Sequence, residues 1–278
     1  MQQLLITLGI GLTSGLLSGA FGIGGGIITT PAIKLILGAP ALIAVGTPLP
    51  VIFPSALTGV ASYARSKLID LRVGITCGLI GSAAAVLGAW ATRLVGGNVV
   101  LIATAALILY TAADMVLQIV RPPRVGLEAG EERDAFSALR EAGGLESAGT
   151  PVRHPAWPAL AFIGIAAGFY SGFLGLGGGF ILVPMLTRWL RFPIKRAIAT
   201  SLLTITILAV PGTITHALLG HIDWRIALWL SVGVVPGAWI GSRVTLGSAD
   251  RTVRLGFAVL LIVVGGWLGI ATLLGGRV

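Results

Sequence analysis

Apolar residues run along this chain in blocks of about twenty, without the alternation of polar and apolar positions that marks a half-buried strand. A helix crosses the roughly 30 Å hydrocarbon core of a bilayer with about 20 such residues. Ala41 to Ala64 and Val73 to Thr92 carry no charge, and Val99 to Val120 carries one acid, Asp114. Ala197 to Leu219, Ile226 to Ser242 and Leu255 to Leu274 are uncharged apart from histidine protonation. Each predicts a transmembrane helix. The opening run, Leu4 to Gly38, is too long for one crossing, because about 35 residues of straight helix would exceed 50 Å. The glycine cluster Gly22–Gly26 lies in its middle, and predicts a break into two short helices that form a hairpin or a re-entrant loop.

A stretch of different character separates the halves. Arg121 to Trp157 holds six acids, five arginines and prolines at 122, 123, 151 and 155, so it cannot sit in lipid. It reads as a solvated linker, with a short amphipathic helix expected over Glu128 to Leu139. The expected organisation is a first membrane repeat over 1–120, the linker over 121–157 and a second repeat over 158–278.

The repeat is read from the residues. Positions 15–38 and 168–191 align without gaps at an offset of 153. Ser18 matches Ser171, Gly22 matches Gly175, and Gly24, Gly25 and Gly26 match Gly177, Gly178 and Gly179. Pro31 matches Pro184, Thr47 matches Thr200, and Ile69, Asp70 and Arg72 match Ile222, Asp223 and Arg225. Ordered matches of this kind mark a duplicated unit. The expected fold class is therefore an all-α polytopic membrane protein of two homologous repeats. Each has a glycine-broken or re-entrant opening helix pair followed by three transmembrane helices.

Composition sharpens this. Of 278 residues, 55% are hydrophobic and only 10% charged, with mean hydropathy +0.97, which rules out an ordinary soluble enzyme whose surface must be wetted. The net charge of +9 does not indicate nucleic acid, because the basic residues fall between apolar spans. They report orientation instead. If each opening run folds back, the repeats are inverted. One side then collects 15 of the 19 Lys and Arg, leaving Lys34, Arg93, Arg225 and Arg277 opposite. A single crossing by each opening run would give no bias. The positive-inside rule then places the linker in the cytoplasm and both termini in the periplasm, in a multi-pass inner-membrane protein. The first run lacks a basic start and a small-residue cleavage site, and is read as retained.

A break at membrane depth frees backbone N–H groups, and consecutive glycines with a helix start behind them gather such groups into an anion site without a fixed cation. Paired, interrupted segments at corresponding positions are also the pointer to a transporter's binding site. The candidate substrate-binding residues are Ser18, Gly22, Gly24, Gly25, Gly26 and Thr47, with Ser171, Gly175, Gly177, Gly178, Gly179, Thr200 and Ser201. The stripe Gly11, Gly15, Ser18 and Gly22 is read first as tight helix packing. The triple glycines exceed what packing needs.

Other chemistry is poorly supported. The glycines lack the spacing of a nucleotide loop. Cys77 stands alone, and His154, His216 and His221 lack metal-ligand spacing, so neither cofactor nor metal is expected. Proton coupling through His216 and His221 is a minor alternative. Asp114 is read as snorkelling or pairing with Arg121, and Asp70 and Asp223 as helix-start acids.

With its doubled Gly-x-Gly-Gly-Gly, the proline that follows each and the Ile-Asp-x-Arg of 69–72 and 222–225, the chain resembles the TauE/SafE sulfite exporter family. That family belongs to the 4-toluene sulfonate uptake permeases. The resemblance implies a secondary transporter moving a small sulfur-containing anion, sulfite, thiosulfate or an organosulfonate, by alternating access. The alternatives are an anion channel or, less favoured, an integral membrane enzyme. The implied partners are the anionic substrate, the lipid bilayer and a coupling proton or ion. Oligomeric state stays open, with a homodimer among the alternatives.

Overall fold

The computed structural model describes residues 2–95, 97–120 and 157–275. The linker, with the helix expected at Glu128–Leu139, lies outside them. Regular structure among the described residues is helical. The first half contains α1 (Gln2–Phe21), α2 (Gly26–Leu35), α3 (Ala41–Gly46), α4 (Pro48–Ala64), α5 (Leu71–Ala91) and α6 (Gly97–Val120). The second contains α7 (Trp157–Leu174), α8 (Gly179–Trp189), α9 (Ile194–Leu218), α10 (Trp224–Gly247) and α11 (Asp250–Gly275). Among the described residues, eight spans are long and apolar enough to cross a membrane, with α3 and α4 together forming one of them, Ala41–Ala64. Thr47 is itself helical, and the interruption there reflects Pro48, which has no N–H to offer the ladder. An all-α polytopic membrane protein is what the apolar blocks predict, and is what the chain forms.

Both opening runs are broken. Gly22, Gly24 and Gly25 have φ of +69°, +80° and +80°, and Gly175, Gly177 and Gly178 have +66°, +81° and +75°. Side chains rarely adopt this left-handed region, so the reversal is reserved for glycine. Gly25 returns to the middle of α1, where the Ser14 hydroxyl donates to its carbonyl at 2.9 Å. From there α2 is about 15 Å long and α8 slightly longer, roughly half a bilayer each.

The long helices pack through small residues, in two parallel pairs. Along α1 and α10, Gly11 lies against Leu230 and Gly233, Gly15 against Val234, and Gly19 against Ala238. Along α5 and α7, Cys77 meets Gly164, Gly81 meets Gly168, and Ala85 meets Gly172. In the centre α4 and α9 run antiparallel, with Gly59 on Leu202 and Leu49 near Gly212. At the flank α6 and α11 are also antiparallel, with Ile108 beside Gly265 and Ala105 beside Gly269. At the offset of 153, each parallel pair is the counterpart of the other, whereas each antiparallel pair joins counterpart helices.

Approach this close leaves no room for a methyl group. A Cβ on Gly168 would overlap the carbonyl oxygen of Gly81, whereas one on Gly9 would meet nothing within 4 Å. Gly168→Ala should therefore destabilise the protein by about 2 kcal/mol or more. Gly9→Ala should change stability by less than about 0.5 kcal/mol. Thermal unfolding in detergent reads both. Equal effects would show that α5 and α7 do not meet at glycine.

Candidate functional site

The two breaks meet at the middle of the molecule. A Cβ on Gly26 would lie 2.6 Å from the Cα of Leu176, and one on Gly179 would lie 2.7 Å from the Cα of Ile23. These are counterpart contacts, each break pressing its helix-start glycine on the other's backbone. Gly24 and Gly177 both adjoin Ile52 and Ile205, from the central helices α4 and α9. Residues 22–27 and 174–180 are buried throughout.

The backbone here is short of acceptors. Gly25 accepts from the N–H groups of Ile28 and Thr29, and Gly178 from those of Ile181 and Leu182. The amides of residues 23–27 and 176–180 have no hydrogen-bond acceptor among the described residues. Neither Gly25 nor Gly178 caps its helix with a side chain. No charged residue occurs in 14–30 or 167–183. The polarity is therefore that of helix starts and loose amides, positive without a cation.

The hydroxyls chosen from sequence divide in two ways. Ser18 accepts from the Ser55 hydroxyl at 2.8 Å. Its counterpart Ser171 is fully buried, yet its Oγ has no partner among the described residues; at the offset, the counterpart of Ser55 is Leu208, which has no hydroxyl to donate. The Ser201 hydroxyl lies 2.9 Å from the Gly22 carbonyl and 2.8 Å from that of Ile198, and its one proton serves these acceptors. Thr47 and Thr200 bind across the repeats. Thr47 Oγ1 accepts the Asp223 N–H at 3.0 Å, and Thr200 Oγ1 accepts the Asp70 N–H at 3.1 Å.

Asp70 and Asp223 are helix-start acids as their position implies, with Asp70 taking the Val73 N–H and Asp223 those of Arg225 and Ile226. Asp70 has a further role, since its Oδ2 pairs with Arg196 Nη2 at 2.9 Å. Asp114 pairs with Arg188 of α8; Arg121, the partner expected from sequence, lies outside the described residues. Ser14 and Ser55 were not singled out by sequence reasoning, and neither was Tyr63. The offset does mark Tyr63, as the counterpart of His216. The Tyr63 hydroxyl donates to the Gly19 carbonyl at 3.0 Å, and His216 Nε2 donates to that of Gly172 at 2.8 Å. His221 Nδ1 sits 3.3 Å from His216 Nδ1. Burial, and then the Arg93 charge, hold His221 below the usual imidazole range. No group of three or more metal-ligating side chains converges among the described residues.

The two aspartates give a direct comparison. Asp70→Asn keeps the cap and loses the half-buried ion pair, and should destabilise by about 1 kcal/mol. Asp223→Asn keeps its cap and should be nearly silent. Equal losses in thermal unfolding would deny Arg196 its part.

The relatives found by sequence are named as membrane transporters. The family model described as "Sulfite exporter TauE/SafE" matches residues 7–268. A "Probable membrane transporter protein YunE" of Bacillus subtilis is 28% identical, covering 92% of this chain and 93% of its own. A "Probable membrane transporter protein" of Xylella fastidiosa is 26% identical over 87% and 85%, and one of Methanocaldococcus jannaschii is 23% identical over 92% and 91%. No solved structure matches the chain. A match across nearly the whole length, on a polytopic helical scaffold with two glycine breaks, makes this chain a member of the TauE/SafE sulfite exporter family.

Proposed function

We propose that this protein is a secondary transporter that carries a small sulfur-containing anion, sulfite, thiosulfate or an organosulfonate, across the inner membrane by alternating access. The observation that carries this reading is the pair of buried breaks, each with five consecutive amides lacking an acceptor among the described residues. An oxyanion supplies acceptors without needing a counter-cation, and helix starts favour negative charge. The Ser171 hydroxyl, buried and unpartnered, is the side-chain donor that would complete the site. The glycines bring the backbone to the anion, while Ser14 and Ser201 hold the first break through the carbonyls of Gly25 and Gly22.

Alternating access needs two halves able to exchange roles about one site. The antiparallel crossing of counterpart helices α4 and α9 supports inverted repeats, related by a pseudo-two-fold axis in the membrane plane. In that arrangement the linker and 15 of the 19 basic residues face the cytoplasm, and both termini face the periplasm.

The test is uptake and counterflow in proteoliposomes, with sulfite, thiosulfate, sulfoacetate and taurine as a panel. Ser171→Ala removes an unpaired group, so thermal stability should hold while transport of the preferred anion falls by about tenfold, the worth of a hydrogen bond to a charged group. Gly24→Ala puts a methyl 3.1 Å from Ile205 and 3.2 Å from Ile52 at a left-handed residue, and should also reduce transport. Unchanged transport in both variants would refute the site. Uptake without counterflow would refute the carrier and favour a channel.

A further inference from the structure

A groove of about 480 Å3 opens on the outer surface between the last turns of α4 and α10, at the end of the molecule where α5 and α9 begin. Along α4 it is lined by Leu57, Thr58, Ser62 and Arg65, and along α10 by Trp239 and Arg243. Its chemistry changes along its length. Leu57 lies about 12 Å inward of Arg65, by helix rise. Leu57 and Trp239 are each about half exposed on a surface that faces lipid, so the inner part is apolar. The outer part is cationic. The Arg243 guanidinium stacks on the Trp239 ring at 3.8 Å, and neither Arg65 nor Arg243 forms an ion pair among the described residues. The Thr58 and Ser62 hydroxyls turn back on α4, donating to the carbonyls of Pro54 and Thr58. The guanidiniums are thus left as the strong donors.

The duplication provides an internal control. A second groove, about 460 Å3, includes Val210, Pro211 and Ile214, the counterparts of Leu57, Thr58 and Ala61. That groove does not include Leu218 or Trp90, the counterparts of Arg65 and Arg243, and Arg93, the counterpart of Leu246, stacks on Trp90 at 5.3 Å. The corresponding helix ends of the other repeat therefore carry one arginine where the α4–α10 groove has two, and the paired guanidiniums are particular to that groove. A hydrocarbon-facing trough that ends in two guanidiniums without an ion pair among the described residues, beside a tryptophan, matches an amphiphile with an anionic head. A free anion would have no use for the apolar length.

We propose that the α4–α10 groove is a binding site for one anionic phospholipid, its phosphate held by Arg65 and Arg243 and its acyl chain lying over Leu57. Basic pockets between membrane helices recognise anionic headgroups on the leaflet where such lipids concentrate. Lipid binding here is independent of the transport site. Only the naming of the leaflet as cytoplasmic rests on the proposed topology.

Native mass spectrometry of the full chain, titrated with phosphatidylglycerol or phosphatidylcholine, tests the proposal. The wild type should retain phosphatidylglycerol about tenfold more tightly than phosphatidylcholine, and the double variant Arg65→Gln/Arg243→Gln should lose that preference. The charge-matched control Arg93→Gln/Arg225→Gln, at the opposite end, should keep it. Four results would overturn the proposal: no headgroup preference in the wild type, full retention in the groove variant, equal loss in the control, or displacement by millimolar inorganic phosphate. The last would mark a free-anion site. A change in oligomeric mass on groove substitution would also overturn it, assigning the face to a second copy of the chain.

Discussion

Within hydrocarbon there is no water to receive a backbone N–H, and an amide without an acceptor costs several kcal/mol. Helices avoid that cost by bonding to themselves, so a break in a membrane helix must be placed where something else receives it. This chain makes two such breaks and buries both at its centre, where the long helices shield them from lipid. The positive φ angles, the direct contact of Gly26 with Leu176 and of Gly179 with Ile23, and the two serines that hold the first break all follow from that placement. The amides of 23–27 and 176–180 remain the unmet demand around which the proposed anion site is built.

Duplication supplies the frame, and departures from it supply the differences between its ends. Thr47 with Asp223 and Thr200 with Asp70 are the same bond made twice. Tyr63 and His216 perform one structural task, holding a carbonyl just before each break, with different side chains. Only Asp70 adds the ion pair with Arg196, and only Ser171 lacks the hydroxyl partner that Ser18 has. A carrier that alternates needs two halves alike enough to exchange shapes. It also needs enough chemical difference to treat the two sides of a membrane unequally. In the proposed carrier, these substitutions are where that difference lies.

Much of this was legible in the sequence, because bilayer thickness turns helix length into a countable quantity. The 35-residue opening runs exceed one crossing, and their glycine clusters mark where the breaks occur. Of the small-residue stripe Gly11, Gly15, Ser18 and Gly22, the first two do pack against a partner helix, although its identity, α10 of the other repeat, was not readable. Ser18 instead bonds Ser55 of α4, and Gly22 lies against α9. What stayed hidden were pairings across the repeats. Alignment at one offset finds equivalent residues, and bonds such as Thr200 with Asp70 join inequivalent ones. The offset does pair Ser55 with Leu208, but the Ser18–Ser55 bond that Ser171 lacks joins two helices of one repeat, and no alignment marks it.

The central claim is that main-chain amides at the two breaks receive an anion. The most direct measurement is an experimental structure of the protein with selenite, a heavier relative of sulfite, located by its anomalous scattering. The account predicts a selenium peak within hydrogen-bonding reach of amides in 23–27 or 176–180. A peak elsewhere on the chain, with these breaks empty in protein that transports selenite, would contradict it.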